Sequence, residues 1–286
     1  MVRQVTIWRW LVIGIALCSA SGPVYSQTNV AAKIAPPAAA KSDPDKFFAQ
    51  YREAVTFVSK NRRQDAAIIM DVLSRNLSTS PWMEIAVLKH SQLIETRNDQ
   101  VAMDNYLLLK LRLAQAPYFQ GNEERAKVFS AALKGAVETG INRVRVMRVR
   151  DALDRYRIRY HEYPETLAKL PIFGYTDIEN IHAANNQLLR YVPTGQRMTP
   201  FISNQQYELQ SFAIEPFSVT SPRLEGITMV RNNPPKYAGL MRVGGRSEPE
   251  TIEEDRTIQG FLVAAVWEGG AILCNNTRIL VLLTPQ

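Results

Sequence analysis

Hydrophobic residues recur at steps of three and four from about Phe47 to Tyr160, which is the spacing of one buried face on an α-helix. Breaks in this pattern divide the first part of the region into predicted helices at 47–60, 63–76, 80–96, 99–116 and 122–140. Helices of this length in series favour antiparallel hairpins, as in tetratricopeptide-type scaffolds. Because no self-similarity at a period of about 34 residues is visible, we predict an α-helical hairpin domain rather than a repeat array.

A further helix is predicted from Ile141 to His161. It carries one apolar stripe at helical spacing, which must bury against another element. The residues of the stripe are Val146, Val149, Leu153, Tyr156 and Tyr160.

Arginine is concentrated in the same helix, where seven arginines oppose only Asp151 and Asp154. At about 100° per residue, all seven fall off the apolar stripe, and we expect them to form a solvated rim. The rim could also dock to an acidic protein surface or to anionic lipid headgroups. The candidate contacts are Arg143, Arg150 and Arg157.

The pattern changes to β after His161. Short strands are predicted at 188–192 and 206–212, followed by strands at 224–230, 237–243, 261–267, 271–274 and 277–283. The last three form a predicted meander, because Gly269-Gly270 and Asn275-Asn276 suit the positive φ angles of tight hairpin turns.

These elements predict an α+β multidomain chain. It comprises an N-terminal α-helical hairpin domain, a long helix with a small αβ segment, and a C-terminal small β-sandwich. The predicted divisions are a signal peptide at 1–26, a flexible Ala/Pro linker at 27–46, the helical domain at 47–140, the long helix and αβ segment at 141–220, and the β domain at 221–286.

The first 26 residues have the order of a bacterial secretion signal: basic Arg3 and Arg9, an apolar run at 10–18, then small residues. Two kinds of processing stay open. Cleavage before Gln27 would release a soluble chain, whereas cleavage before Cys18 would leave that cysteine as a lipidated first residue. Either route predicts the periplasm or cell envelope.

Cysteine usage is minimal, with Cys18 in the leader and Cys274 near the C-terminus. If the leader is removed, the mature chain has no second cysteine with which to form an intramolecular disulfide. Because Cys274 lies in an apolar predicted strand, we expect a buried structural thiol.

Two segments resemble protein families of secretion and pilus machinery. The first runs from Arg150-Asp151-Ala152-Leu153-Asp154-Arg155-Tyr156 to Tyr163-Pro164-Glu165-Thr166-Leu167-Ala168-Lys169-Leu170. It resembles the end of the long helix and the following loop of type II secretion pseudopilins. The resemblance implies that the tyrosine and leucines pack the loop back on the helix.

The C-terminal region resembles the periplasmic homology domain of the type II secretion C protein and the pilus P lipoprotein. The similar elements are Leu224-Glu225-Gly226-Ile227, Tyr237-Ala238, Gly245-Arg246 and 258–263. The resemblance implies a small β-sandwich that binds the N-terminal domains of an outer-membrane secretin. The candidate docking residues are Leu224, Ile227, Phe261 and Val263, and the 224–230 strand is the candidate edge that could join a partner sheet through main-chain hydrogen bonds.

Local signatures of catalysis are absent from the sequence, which has no GxSxG, HExxH, Walker-type glycine loop or CxxC pair. The three histidines, His90, His161 and His182, are scattered. We therefore predict no catalytic, cofactor-binding or metal-binding residue, and no nucleic-acid partner for an exported chain.

Together these features predict a non-catalytic envelope component of a type II secretion or type IV pilus-like system, docking to a secretin or another periplasmic protein. One alternative is an exported helical-repeat scaffold whose partner binds residues 47–140. Another is an exported hydrolase with a site between domains. The oligomeric state stays open.

Overall fold

The computed structural model describes residues 42–77, 81–113, 119, 122–192, 201–203, 222–243, 248–275 and 278–285. The helices among them are α1 Asp43–Ser59, α2 Arg63–Asn76, α3 Trp82–Ile94, α4 Asp99–Arg112, α5 Glu123–Tyr160 and α6 Lys169–Ile172, with a 3₁₀ turn at Ile178–Ile181. The strands are β1 Arg190–Val192, β2 Phe201–Ser203, β3 Arg223–Asn232, β4 Pro235–Arg242, β5 Glu250–Ile252, β6 Thr257–Ile258, β7 Phe261–Trp267, β8 Gly270–Cys274 and β9 Ile279–Leu283. The predicted α+β architecture is confirmed.

Helix α1 begins four residues before the predicted start at Phe47. The Ser42 side chain accepts a hydrogen bond from the Asp45 backbone N–H, and Asp43 and Asp45 place negative charge in the first turn. Both features stabilise a helix N-terminus. The last four residues of the predicted flexible linker are therefore helical.

Helix α5 is one continuous helix of 38 residues, so the predicted end at Gly140 and the predicted new start at Ile141 are wrong. Asn122 caps its first turn by accepting a hydrogen bond from the Arg125 N–H at 2.9 Å. Its C-cap is His161, which adopts a left-handed φ of 60°. Gly140 serves packing instead, because the ring of Tyr106 lies where a Cβ would stand.

The second half of α5 supports a small core of its own. Val146, Val149, Leu153 and Tyr156 are buried against Leu167, Leu170 and the segment at 181–189, as the apolar stripe predicts. The loop leucines pack back on the helix, as the pseudopilin resemblance implies. Tyr160 differs from the prediction because it is 39% exposed at the helix end.

The C-terminal strands form a two-layer β-sandwich. One sheet has the order β3-β4-β5 and the other the order β6-β7-β8-β9, all antiparallel. The predicted β7-β8-β9 meander is confirmed. Leu224, Tyr237, Met241 and Ile252 of the first sheet share a core with Val263, Val266, Leu273 and other residues of the second.

The second sheet is buried on its other face by the helices. Leu262, Ala264, Ile272, Cys274 and Val281 belong to the same core as the residues of α1 to α5. We call this contact the helix–sandwich interface. Because successive strand residues point to opposite faces, a sheet covered on both sides needs near-continuous apolar strands, as β7 and β8 provide.

Polar contacts reinforce the helix–sandwich interface around α1 and α5. The Arg52 guanidinium donates to the Thr284 carbonyl at 2.7 Å, and Trp267 Nε1 donates to Asp45 Oδ1 at 2.7 Å. Arg125 of α5 donates to the Ala264 carbonyl at 3.1 Å and pairs with Glu254 at 3.1 Å. These contacts fix the sandwich to the helical bundle.

The shared core crosses the predicted boundaries at 140/141 and 220/221, and the division into domains stays a prediction. The signal peptide, Cys18, the linker up to residue 41 and the strand predicted at 206–212 lie outside the described residues.

Cys274 is fully buried in the helix–sandwich interface, and the prediction of a buried thiol is confirmed. Burial raises the pKa of its thiol to about 12. Since the thiolate is the reactive form, we expect iodoacetamide to leave Cys274 unlabelled in the native protein at pH 8 and to label it fully in urea. Mass spectrometry of the peptide that contains Cys274 measures the labelling, and equal rates in both conditions would contradict a closed interface.

Candidate functional site

The outer edge of β3 is the candidate interaction site in the β-sandwich. β3 is a ten-residue strand at the end of its sheet and hydrogen-bonds to β4 on one side only, among the described residues. β5 pairs only with 239–241 of β4, so the β3–β4 hairpin extends beyond the three-stranded part of the sheet. An edge of this kind presents unpaired backbone N–H and C=O groups to an incoming strand.

The two ends of the hairpin differ in burial. At its base, Leu224 and Met241 are buried in the sandwich core. Towards the tip, Met229 and Val230 are 48% and 61% exposed. The core therefore holds the base in place, while backbone and apolar side chains at the tip face solvent.

An ion pair joins the two strands near the base. The Arg242 guanidinium binds the Glu225 carboxylate, and Arg223 lies 3.5 Å from the same carboxylate. The hydrogen bond from Arg242 lowers the pKa of Glu225. Because both side chains are partly exposed, the pair contributes little to stability.

The predicted docking residues of the sandwich are placed differently from one another. Leu224 and Val263 are buried between the sheets, where their side chains fill the core, and their part in docking stays a prediction. Ile227 and Phe261 are half-buried against the same core. The inward-facing side chains of these strands fill the core. A partner at the β3 edge could therefore contact only the backbone and the outward-facing side chains near the tip.

The solvated rim predicted for the α5 arginines is wrong for Arg143. This side chain is 3% exposed, and its Nε donates to Glu95 Oε2 at 2.8 Å. Tyr106 donates its hydroxyl hydrogen to the same carboxylate. Helix α4 covers this part of α5, so a position off the main stripe is nevertheless internal.

Two more arginines of the rim act as internal clamps. Arg145 donates to the carbonyls of His182 and Ala183 at 3.1 and 3.0 Å, which holds the segment after the 3₁₀ turn on α5. Arg148 pairs with Asp99 at 2.6 Å and so ties the start of α4 to α5. Sequence periodicity missed both roles, because the acceptors come from distant parts of the chain.

Arg150 and Arg157 are exposed, as predicted. The guanidinium of Arg157 lies 5.4 Å from the centre of the Tyr163 ring, within cation–π range. Arg155, near them, donates to the Tyr175 carbonyl at 2.8 Å. The exposed arginines of α5 are therefore confined to its C-terminal third.

A buried polar network surrounds Arg143. Burial alone would lower the pKa of Arg143, but the hydrogen bond and negative charge of Glu95 outweigh burial and raise it above its usual value. Burial and the Glu95 charge raise the pKa of Tyr106, while burial and the Arg143 charge lower the pKa of Lys89 to about 8. The network holds α3, α4 and α5 in register.

An open cleft of about 830 Å³ lies between α5, the N-terminus of α4 and the loop after α6. It is lined by Arg148, Arg155, Asp99, Asp151, Asp177 and neutral side chains. The two arginines are engaged by Asp99 and by the Tyr175 carbonyl. The charges of the lining thus largely compensate one another.

Histidine and acidic residues do not assemble into a metal site within the described part of the chain. His161 caps α5, His182 Nδ1 lies 2.9 Å from the Ile178 carbonyl oxygen, and His90 Nδ1 lies 3.4 Å from Asn105 Nδ2. Each histidine therefore caps a helix or has a nearby polar partner. Over the same residues, no helix is long and apolar enough to cross a membrane.

Comparisons with known proteins found no family model, no curated protein and no solved structure that matches this chain.

Proposed function

We propose that this chain is a non-catalytic component of a cell-envelope assembly, of the type II secretion or type IV pilus kind. It docks to the periplasmic domain of a secretin, or to another envelope protein, by accepting a strand of that partner along the outer edge of β3. The observation that carries this proposal is the position of β3, a ten-residue strand at the edge of its sheet. Strand addition gains affinity from main-chain hydrogen bonds.

The exposed side chains of the hairpin support the same mode of binding. Met229 and Val230 face solvent near the tip of β3, and Leu240 is exposed on β4. An added strand would cover part of this apolar surface, and the pockets between alternate side chains would select its sequence. The resemblance of this region to secretin-docking domains supports the choice of partner.

The helix–sandwich interface determines how such a partner would be held. Because the second sheet is buried on both faces, the sandwich keeps one orientation on the helical bundle. A strand added to β3 would then position the partner relative to α1 and α5. Isolating the sandwich would expose Leu262, Ile272 and Cys274, so docking has to be tested with the whole chain.

Adjacent proline substitutions in β3 test the proposal. Thr228 and Met229 lie in a regular stretch of the β3–β4 register, opposite Ala238 and Tyr237. The N–H groups of adjacent strand residues point to opposite sides. One of the two variants, T228P or M229P, therefore removes a hydrogen bond to β4, and the other removes a donor from the outer edge. We expect the variant that keeps the native unfolding midpoint to lose binding to an immobilised secretin N-terminal domain by about tenfold or more, or about 1.4 kcal/mol.

Gly226→Ala serves as the matched control within the same strand, because nothing lies within 4 Å of a Cβ added there. It should bind like the native chain. Undiminished binding by the folded proline variant would exclude the β3 edge. Absence of binding by the native chain would exclude a secretin as the partner.

A further inference from the structure

Helix α4 carries large apolar residues on both of its sides. Ala102, Tyr106 and Leu109 are buried against the neighbouring helices. On the opposite side, four further apolar residues are between 39% and 68% exposed. They are Val101, Leu107, Leu108 and Leu111. The bundle does not cover this second group of apolar residues, which leaves them available for another contact.

These four residues form one surface, which we call the outer face of α4. At about 100° per residue they fall within an arc of about 120°, with Asp104 near its middle. At the border of this surface, Arg112 Nη1 lies 3.8 Å from the sulfur of half-buried Met83 on α3. A contiguous apolar surface of this kind marks an interaction site more often than single exposed leucines do.

The charges on the outer face indicate which partner fits it. Asp104 lies in the N-terminal half of the apolar arc, and Arg112 borders the arc at the C-terminal end. If a second α4 packs antiparallel with the midpoint between Leu107 and Leu108, residue 104 lies level with residue 111 of the second copy. Arg112 of the second copy is one residue further along. Its Cα therefore lies only about 1.5 Å from Asp104 along the helix axis.

Symmetry repeats this match, so that one two-fold axis creates two Asp104–Arg112 pairs that flank the leucines. A parallel arrangement would instead place Asp104 beside Asp104, which is unfavourable at an apolar surface. Arg112 is suited to the role, because the sulfur of Met83 is a weak acceptor and leaves its guanidinium able to bind a carboxylate.

We propose that the outer face of α4 is a self-association surface, on which a second copy of this chain packs its own α4 antiparallel about a two-fold axis near Leu107 and Leu108. The interface is isologous, with the same patch used by both copies. The proposal is independent of the β3 edge, which lies on a different element.

Sedimentation velocity of the purified chain over a range of concentrations tests the surface. We expect a monomer–dimer equilibrium. L108D and L111D should each raise the dissociation constant by about tenfold or more, because each places a charge where the dimer would bury a leucine. The matched control is I68D, on the exposed side of α2, where Ile68 is 55% exposed. It should leave the equilibrium unchanged.

A charge exchange tests the two-fold register. D104R and R112D should each weaken the dimer, and the double variant D104R/R112D should restore it, with circular dichroism confirming that each variant is folded. A chain that stays monomeric at every concentration overturns the proposal. The same holds if the face binds a different protein while the chain itself stays monomeric. A double variant no tighter than the single ones overturns it as well.

Discussion

Replacing Glu95 with glutamine is expected to destabilise the protein by about 3–5 kcal/mol. The substitution keeps the size of the side chain but removes the charge that compensates Arg143. Arg143 is buried and is held by hydrogen bonds from its Nε and Nη2 to the Glu95 carboxylate. Without that negative charge, the buried guanidinium keeps its unfavourable desolvation energy and loses the attraction that offsets it. Urea unfolding followed by circular dichroism measures the change.

The double variant E95L/R143M separates charge from packing. Replacing both members of a buried ion pair by apolar residues of similar volume is often neutral, so the double variant should recover most of the stability lost in E95Q. The surface pair Arg75–Asp71 on α2 provides the matched control, since its arginine is largely exposed. D71N should cost less than about 1 kcal/mol. A loss in E95Q no greater than that would contradict the role assigned to the network.

Replacing Gly270 with alanine is expected to destabilise the protein by about 3 kcal/mol, at the upper end of the cost of overpacking. A Cβ at this position would overlap the Leu282 carbonyl oxygen of β9 and approach the Phe48 ring of α1 to 2.6 Å. The first obstacle is backbone and cannot rotate away. Relief therefore requires a shift of β8 against β9 or of the whole sheet against α1.

Gly226→Ala is the control, because it is also a glycine in a strand and its Cβ would meet nothing within 4 Å. It should change the free energy of unfolding by less than about 1 kcal/mol. Labelling of Cys274 gives a second readout, since loosening the helix–sandwich interface in G270A should expose the thiol below the unfolding midpoint. A G270A protein as stable as G226A would mean that the sheet is not tightly packed on α1.

Much of the local structure could be predicted from the pattern of apolar residues. The bounds of α2 match the prediction at both ends, and those of β7 match as well. Both elements follow from local rules: a period near 3.6 for a buried helix face, and a short apolar run bounded by turn residues for a central strand. The β7–β8–β9 meander followed from the apolar runs and the turn residues between them, although neither Gly269 nor Gly270 adopts the positive φ that the prediction assumed.

The candidate site was only partly accessible to the same reasoning. The 224–230 segment was predicted as a strand at a sheet edge, and the structure places it at the edge of the β3-β4-β5 sheet, but its extension to 223–232 beyond the three-stranded part depends on which strands pair with it. The outer face of α4 was not predicted, because an apolar residue at helical spacing is assigned to the core by default. Exposure of Leu108 and Leu111 is decided by which neighbours α4 has.

The sequence by itself determined the α+β class and the bounds of elements such as α2 and β7, because each depends on residues close together in the chain. The tertiary structure decided that Gly140 lies within a continuous helix, that Arg143 is buried beside Glu95, and that the second sheet packs on the bundle. Contacts between residues distant in the chain carry these outcomes, such as those between Glu95 and Arg143, 48 positions apart, and between Arg52 and Thr284, 232 positions apart. No local pattern records such contacts, since each partner alone is an ordinary glycine, arginine or leucine.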